Sequence, residues 1–123
     1  TCRMGGTHLP EVCGEYWGLN LYRLAIQLSL GERPELLLKP LGRANAVHNL
    51  IFHSEGKLEK LGEIDKEFNW YFYFKEGENI TLNASNQAEF GYVHAIGSDA
   101  LEVSNSAFRA ANNFCKTTQI KEK

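Results

Sequence analysis

Phe90-Gly91-Tyr92-Val93-His94-Ala95-Ile96-Gly97-Ser98-Asp99 is the stretch on which the fold turns. Phe90 to Ile96 is dense in aromatic and branched residues that suit a strand. Gly91 inside that run predicts a bulge or a close backbone approach. Gly97-Ser98 then breaks the strand, and Asp99 with Glu102 forms an Asp-x-x-Glu capping box. Ala100, Val103, Ala107, Ala110 and Phe114 follow as a helical stripe, with Lys116 near the end where the helix dipole favours a cation. A strand running directly into a capped, amphipathic helix sets the second part of the chain as sheet plus helix.

Moving back from that strand, the grammar stays β. Asn69 to Phe74 contains Trp70, Tyr71, Phe72 and Tyr73 and reads as a strand. Glu76-Gly77-Glu78 turns it, so that Asn79 to Leu82 is placed to pair back. Val47 to Phe52 is another strand, Ser54-Glu55-Gly56 a turn, and Lys57 to Leu61 its return strand. Asn83 to Ala88 reads as a polar loop, and Gln119 to Lys123 as a charged tail. Lys57, Lys60 and Lys66 among nearby glutamates form a solvated face of mixed charge.

Before residue 40 the grammar is helical. Pro10 opens a run with Val12, Cys13, Tyr16 and Trp17 at helical spacing, closed by Gly18. Asn20 is an N-cap for Leu21, Leu24, Ala25 and Leu28, and Gly31 and Pro34 stop that helix. Lys39-Pro40-Leu41-Gly42-Arg43 marks a boundary between residues 1–40 and 41–123. The fold class is α+β: two N-terminal helices, then an antiparallel sheet of four to five strands with a C-terminal helix packed on it.

At 123 residues the chain is about one domain, with 43% hydrophobic and 23% charged residues. A formal charge of -2 gives no basic surface for nucleic acid or an anionic membrane. The apolar runs are too short for a membrane span. Cys2, Cys13 and Cys115 are an odd number at unrelated spacings, which argues against a disulfide framework and for a reducing, cytoplasmic setting. Two N-x-S/T triplets at Asn79 and Asn83 carry no weight in that setting.

The chemistry concentrates at the start, in Thr1-Cys2-Arg3-Met4-Gly5-Gly6-Thr7-His8-Leu9-Pro10-Glu11. Gly5-Gly6 lets backbone approach a ligand closely, and the helix after it points free N–H groups towards an anion. Arg3 adds a bidentate clamp for phosphate or carboxylate. His8 sits beside the glycine turn within reach of a substrate. A Gly-Gly pair near a chain start also fits a frayed tail.

These residues, with Gly18-Leu19-Asn20-Leu21 and the helix ending at Leu30-Gly31, resemble the end of the catalytic domain of ATP-grasp ligases. There the pattern runs Glu-x-Asn-x-Arg-x-x-Gly, a helix, Gly-x-Asp-Leu and a second helix. Gly91-Tyr92-Val93-His94-Ala95-Ile96-Gly97 with its capped helix resembles the C-terminal subdomain of the L-amino-acid-ligase, biotin-carboxylase and carbamoyl-phosphate-synthetase branch. The likeness is strongest over residues 3–31 and 90–114. It implies a carboxylate–amine ligase using ATP and Mg²⁺ through an acyl-phosphate, with residues 1–40 ending the catalytic lobe and 41–123 forming the C-terminal subdomain. It implies Arg3 as the catalytic cation and Gly5, Gly6 and His8 as substrate-binding residues. Thr1 stands at the position of the metal-binding Asn, and its hydroxyl is a weaker Mg²⁺ ligand than an amide carbonyl. The resemblance places the nucleotide lobe upstream of Thr1, which leaves this chain inactive and without ATP affinity by itself.

The implied partners are the upstream ATP-grasp lobes, a small carboxylate and an amine. Self-association through Leu21, Leu24 and Leu28 is a further expectation if that helix face lacks its cover. The other function class is a non-catalytic binding or assembly module that keeps the ATP-grasp tail for packing alone. No His or Cys spacing suits zinc, and no G-x-S-x-G elbow is present. Cys13 reads as a small buried hydrophobe, and the aromatic run 70–74 as core rather than a base-stacking platform. His48 and His53, five apart on one predicted strand, read as polar strand residues facing opposite sides.

Overall fold

A computed structural model describes residues 7–36 and 38–122. In chain order it contains α1 (Leu9–Trp17), α2 (Leu21–Ser29), β1 (Ala44–Phe52), β2 (Gly56–Lys60), β3 (Asn69–Phe72), β4 (Asn79–Ile80), β5 (Ala88–Gly97), α3 (Ala100–Thr117) and β6 (Gln119–Glu122). The class is α+β, with the helices and the first five strands in the sequence-predicted order.

The strand partners differ from the expectation. Two three-stranded antiparallel sheets form, ordered β1-β5-β3 and β4-β2-β6, instead of one sheet of four or five strands. β2 does not return along β1: β1 pairs with β5 over its whole length and stands at the edge of its sheet, while β2 pairs with β4 and β6. At Gly56 the chain crosses to the second sheet instead. Its φ of 153° suits glycine, and a side chain there would overlap the Lys121 carbonyl. Asn79–Ile80 likewise pairs with β2 and not with β3. The charged segment after α3 is a strand: Ile120 packs inward while its neighbours stay exposed, the pattern of a polar edge.

The predicted irregularity at Gly91 is present. The β1–β5 register slips between Leu50 and Ile51, opposite Gly91 and Glu89. A Cβ on Gly91 would run into the Tyr71 carbonyl of β3, so β3 and β5 approach this closely only because no side chain intervenes.

α3 covers one face of the β1-β5-β3 sheet. Its cap is as predicted, with Asp99 Oδ1 accepting from the Glu102 backbone N–H at 2.8 Å. The buried stripe is Val103, Ala107, Ala111 and Phe114, so Ala111 takes the place expected for Ala110. Over eleven residues the stripe follows the 3.6-residue turn, and Ala110 lies at its margin. Phe114 packs against Phe52, Trp70, Phe72 and Phe90 in an aromatic cluster, with Leu50 and Val93 in the same core.

α1 lies on the opposite face of the same sheet. Asn20 caps α2 by accepting from the Arg23 N–H at 2.9 Å, but none of the α2 residues is buried. Ile26, Leu28 and Leu30 are exposed. The helix is amphipathic, yet it packs on α1 without a core of its own. Among the described residues no helix is long and apolar enough to cross a membrane.

Candidate functional site

The sheet face away from α3 is polar, and strand alternation puts it there. Asn45, Val47, Asn49 and Ile51 of β1 alternate with the core-facing Ala46, His48, Leu50 and Phe52. Across the ladder their partners are Ile96, His94, Tyr92 and Glu89 of β5, and Tyr71 of β3 pairs with Tyr92. α1 is held on this face by side chains. Asn45 Nδ2 donates to the Val12 carbonyl at 3.2 Å, and Arg43 Nη2 lies 2.9 Å from Glu15 Oε1. That second contact is ionic, without the alignment of a hydrogen bond.

His8 enters this face from an unusual backbone. Thr7 and His8 both have left-handed dihedrals, with φ of 60° and 62°. For residues with a Cβ, and above all a β-branched one, such positions cost about 1–3 kcal/mol each. The turn aims His8 inward, where its ring stacks on Tyr92 at a centroid distance of 3.9 Å. Tyr92 in turn stacks on Tyr71 at 4.5 Å and 17°. The His8 imidazole thus ends a ladder of rings across the sheet.

Carboxylates flank that ladder. His8 Nε2 is 3.5 Å from Glu89 Oε1, and Nδ1 is 3.9 Å from Glu11 Oε2. Glu11 Oε1 accepts a 2.6 Å hydrogen bond from the Tyr22 hydroxyl. Among the described residues, His8 Nε2 and Glu11 Oε2 are buried atoms without a hydrogen-bond partner. Buried polar atoms are paired in the great majority of cases, so two such orphans on neighbouring side chains stand out.

His94 shows how the face is ordered. Its Nε2 lies 3.0 Å from Asn45 Oδ1. Asn45 Nδ2 donates to the Val12 carbonyl, so its oxygen is the end that faces His94, and His94 Nε2 must carry the proton. Burial lowers the His94 pKa against the opposing pull of Glu15 and Glu11, and His8 lowers it further. Burial, then Glu11 and the neighbouring phenols, push Tyr92 up to about 12. Both groups are neutral at pH 7.

Of the residues singled out in the sequence, His8 is at this site. Thr1, Arg3, Gly5 and Gly6, with Cys2, lie outside the described residues. His48 faces α3 and meets Phe108 edge-on at 5.2 Å. His53 falls just beyond β1, its Nδ1 3.2 Å from the Asn86 carbonyl. It therefore does not share a strand with His48, because β1 ends at Phe52. Cys13 is half-buried, in a cleft of about 540 Å³ with Val12, Tyr16, Trp17, Arg43 and Asn45. A groove of about 580 Å³ beside α3 is walled by Glu63, Asp65, Glu67 and Glu102 around Arg109, and Glu63 there accepts from Asn113.

Glu11, Glu89, Tyr92, Tyr71 and Tyr22 join the site without having been singled out by the sequence. Glu11 stands three residues from His8, the spacing of helix neighbours, and is legible in principle. The others meet only through strand pairing and the α1–α2 packing. The face is negative, with Glu11, Glu15 and Glu89 against Arg43, which Glu15 already engages. Such a surface repels polyphosphate, so the described residues do not fit the phosphates of ATP. Among the described residues no group of three or more His, Cys, Asp or Glu is placed to hold a metal. Comparison of the chain with models of known protein families, with curated proteins and with solved structures returns no match.

Proposed function

We propose that the chain is the carboxy-terminal part of an ATP-dependent carboxylate–amine ligase, and that the polar sheet face forms the amine-side wall of its active site. The observation that carries this reading is the strained Thr7–His8 turn, which follows the Arg3–Gly6 motif and stacks His8 on Tyr92 between two carboxylates. Strain of this kind persists where the surroundings over-determine it, and it gathers at functional positions. In this reading Arg3 meets anionic oxygens, and Gly5 and Gly6 admit the substrate backbone. His8 and Tyr92 form an ordered surface opposite, bordered by the Glu11 and Glu89 carboxylates. ATP and Mg²⁺ belong to groups upstream, since the face described here disfavours phosphate.

The test begins with the coding sequence upstream of Thr1. A glutamate two residues before Thr1 and a lysine-bearing nucleotide lobe further upstream are the expected finding. The protein with that lobe should release phosphate from ATP only when both a carboxylate and an amine are present. Arg3→Ala should abolish that release. The 123-residue chain should give no ATP heat in calorimetry. An upstream sequence without the lobe, or micromolar ATP binding by this chain, would overturn the proposal. The non-catalytic alternative draws on Thr1 standing where the ligase pattern has Asn.

A further inference from the structure

The negative face carries more aromatic surface than ring packing alone requires. Tyr22, Tyr71 and Tyr73 are each about half exposed, at 49%, 47% and 53%. They gather around the buried Tyr92: Tyr71 stacks on it and Tyr73 lies at 6.5 Å, while Tyr22 reaches Glu11 through its hydroxyl. Glu11 and Glu89 border the same rings, and among the described residues neither is paired with a lysine or arginine. Among those residues the His8 imidazole is the one ring-nitrogen group near both, a single partner for two carboxylates. The phenols register this field. Burial first, and then Glu89 and Glu11, push Tyr73 up, while the Glu11 hydrogen bond leads the rise at Tyr22.

Exposed π-faces and uncompensated carboxylates at one place share a ligand preference. Ring faces attract cations by their quadrupole, and carboxylates by charge. We infer that Tyr22, Tyr71 and Tyr73, with Glu11 and Glu89, form a subsite for the ammonium or guanidinium group of a small amine. The Glu89 carboxylate, its side chain 47% exposed, is open to such a cation, and Glu11 adds its charge at the same rings. The inference deepens the ligase reading by assigning the acceptor a cationic group, and it rests on that reading only for the word acceptor. Cation recognition itself stands on the described face.

The chain can therefore be tested alone, by NMR titration with n-butylammonium chloride and, in parallel, with n-butanol at the same ionic strength. Butylammonium is expected to shift the ring protons of Tyr22, Tyr71 and Tyr73 saturably, and butanol to leave them unmoved. Glu11→Gln with Glu89→Gln should weaken butylammonium binding by about tenfold or more. Tyr71→Leu with Tyr73→Leu should weaken it severalfold. Unchanged signals from Leu50 and Leu58 show that each variant remains folded. Equal response to both probes, no saturable response, or full affinity in the double glutamine variant would overturn the inference. If the cation binds but no nucleotide lobe lies upstream, the ligase reading fails and the subsite stands. If the lobe is there and the cation does not bind, the subsite alone fails.

Discussion

The two faces of the β1-β5-β3 sheet are built from alternate residues of the same strands and solve opposite problems. Against α3, Leu50, Phe90, Val93 and Phe114 are fully buried and make a dry aromatic–aliphatic core. Under α1, the same strands present Asn45, Tyr92, His94 and Tyr71, held by long-range polar bonds and ring stacking. The first face stabilises by removing apolar surface from water. The second gains less and carries orphaned atoms and unbalanced charge. A polar sheet face that is ordered yet left unsatisfied is what the proposed amine-side wall requires.

The contrast breaks most readily at the core. Phe90→Ala should cost about 3–5 kcal/mol, measured by urea unfolding, because Phe52, Phe72, Phe74 and Phe114 cannot all close the cavity. A loss under about 1 kcal/mol would mean that the core is less tightly packed than described. Gly91→Ala comes next, at about 2 kcal/mol or more, since its Cβ meets the Tyr71 carbonyl and the backbone disfavours L residues. On the polar face, Asn45→Ala should cost about 1–3 kcal/mol by leaving His94 Nε2 without an acceptor. Hydrogen exchange should then report loosening at α1 before β5.

A smaller effect comes from pH. Burial holds the His94 pKa below the unfolded value of about 6.5. Folding therefore disfavours the protonated form, and the unfolded chain binds the proton first. Stability from this group is complete above about pH 6.5 and is lost as pH falls through the lowered folded value. Urea midpoints at pH 7.5 and 5.5 should differ in that direction, and His94→Gln should narrow the gap. The least effect belongs to α2, where Leu28→Ser should change stability by no more than about 0.5 kcal/mol, because Leu28 is exposed. Sedimentation of that variant beside the parent chain also tests whether this face self-associates.

What the sequence revealed was local. Asp99 and Asn20 declare their caps because the donor lies three residues ahead in each case. Gly91 declares its bulge because a glycine inside an aromatic strand needs a reason. Pairing was hidden, since β2 reads as a return strand from its own residues while its partners β4 and β6 lie far along the chain. Gln119–Glu122 offers one apolar residue, Ile120, too little pattern to mark a strand. The site was half legible. His8 stood out beside the glycine turn, whereas Tyr92, Glu89 and Tyr22 join it through contacts far apart in sequence.

If the polar face exists for a ligand, its carboxylates should not be needed for folding. The most direct measurement is the unfolding free energy of the Glu11→Gln/Glu89→Gln double variant at pH 7. The amide oxygen introduced by Glu11→Gln can still accept from the Tyr22 hydroxyl, so that hydrogen bond is kept. The expected value is within about 1 kcal/mol of that of the parent chain or above it, because the repulsion between like charges is relieved. A loss of more than about 1 kcal/mol would show the carboxylates to be structural, and would contradict a face kept for binding.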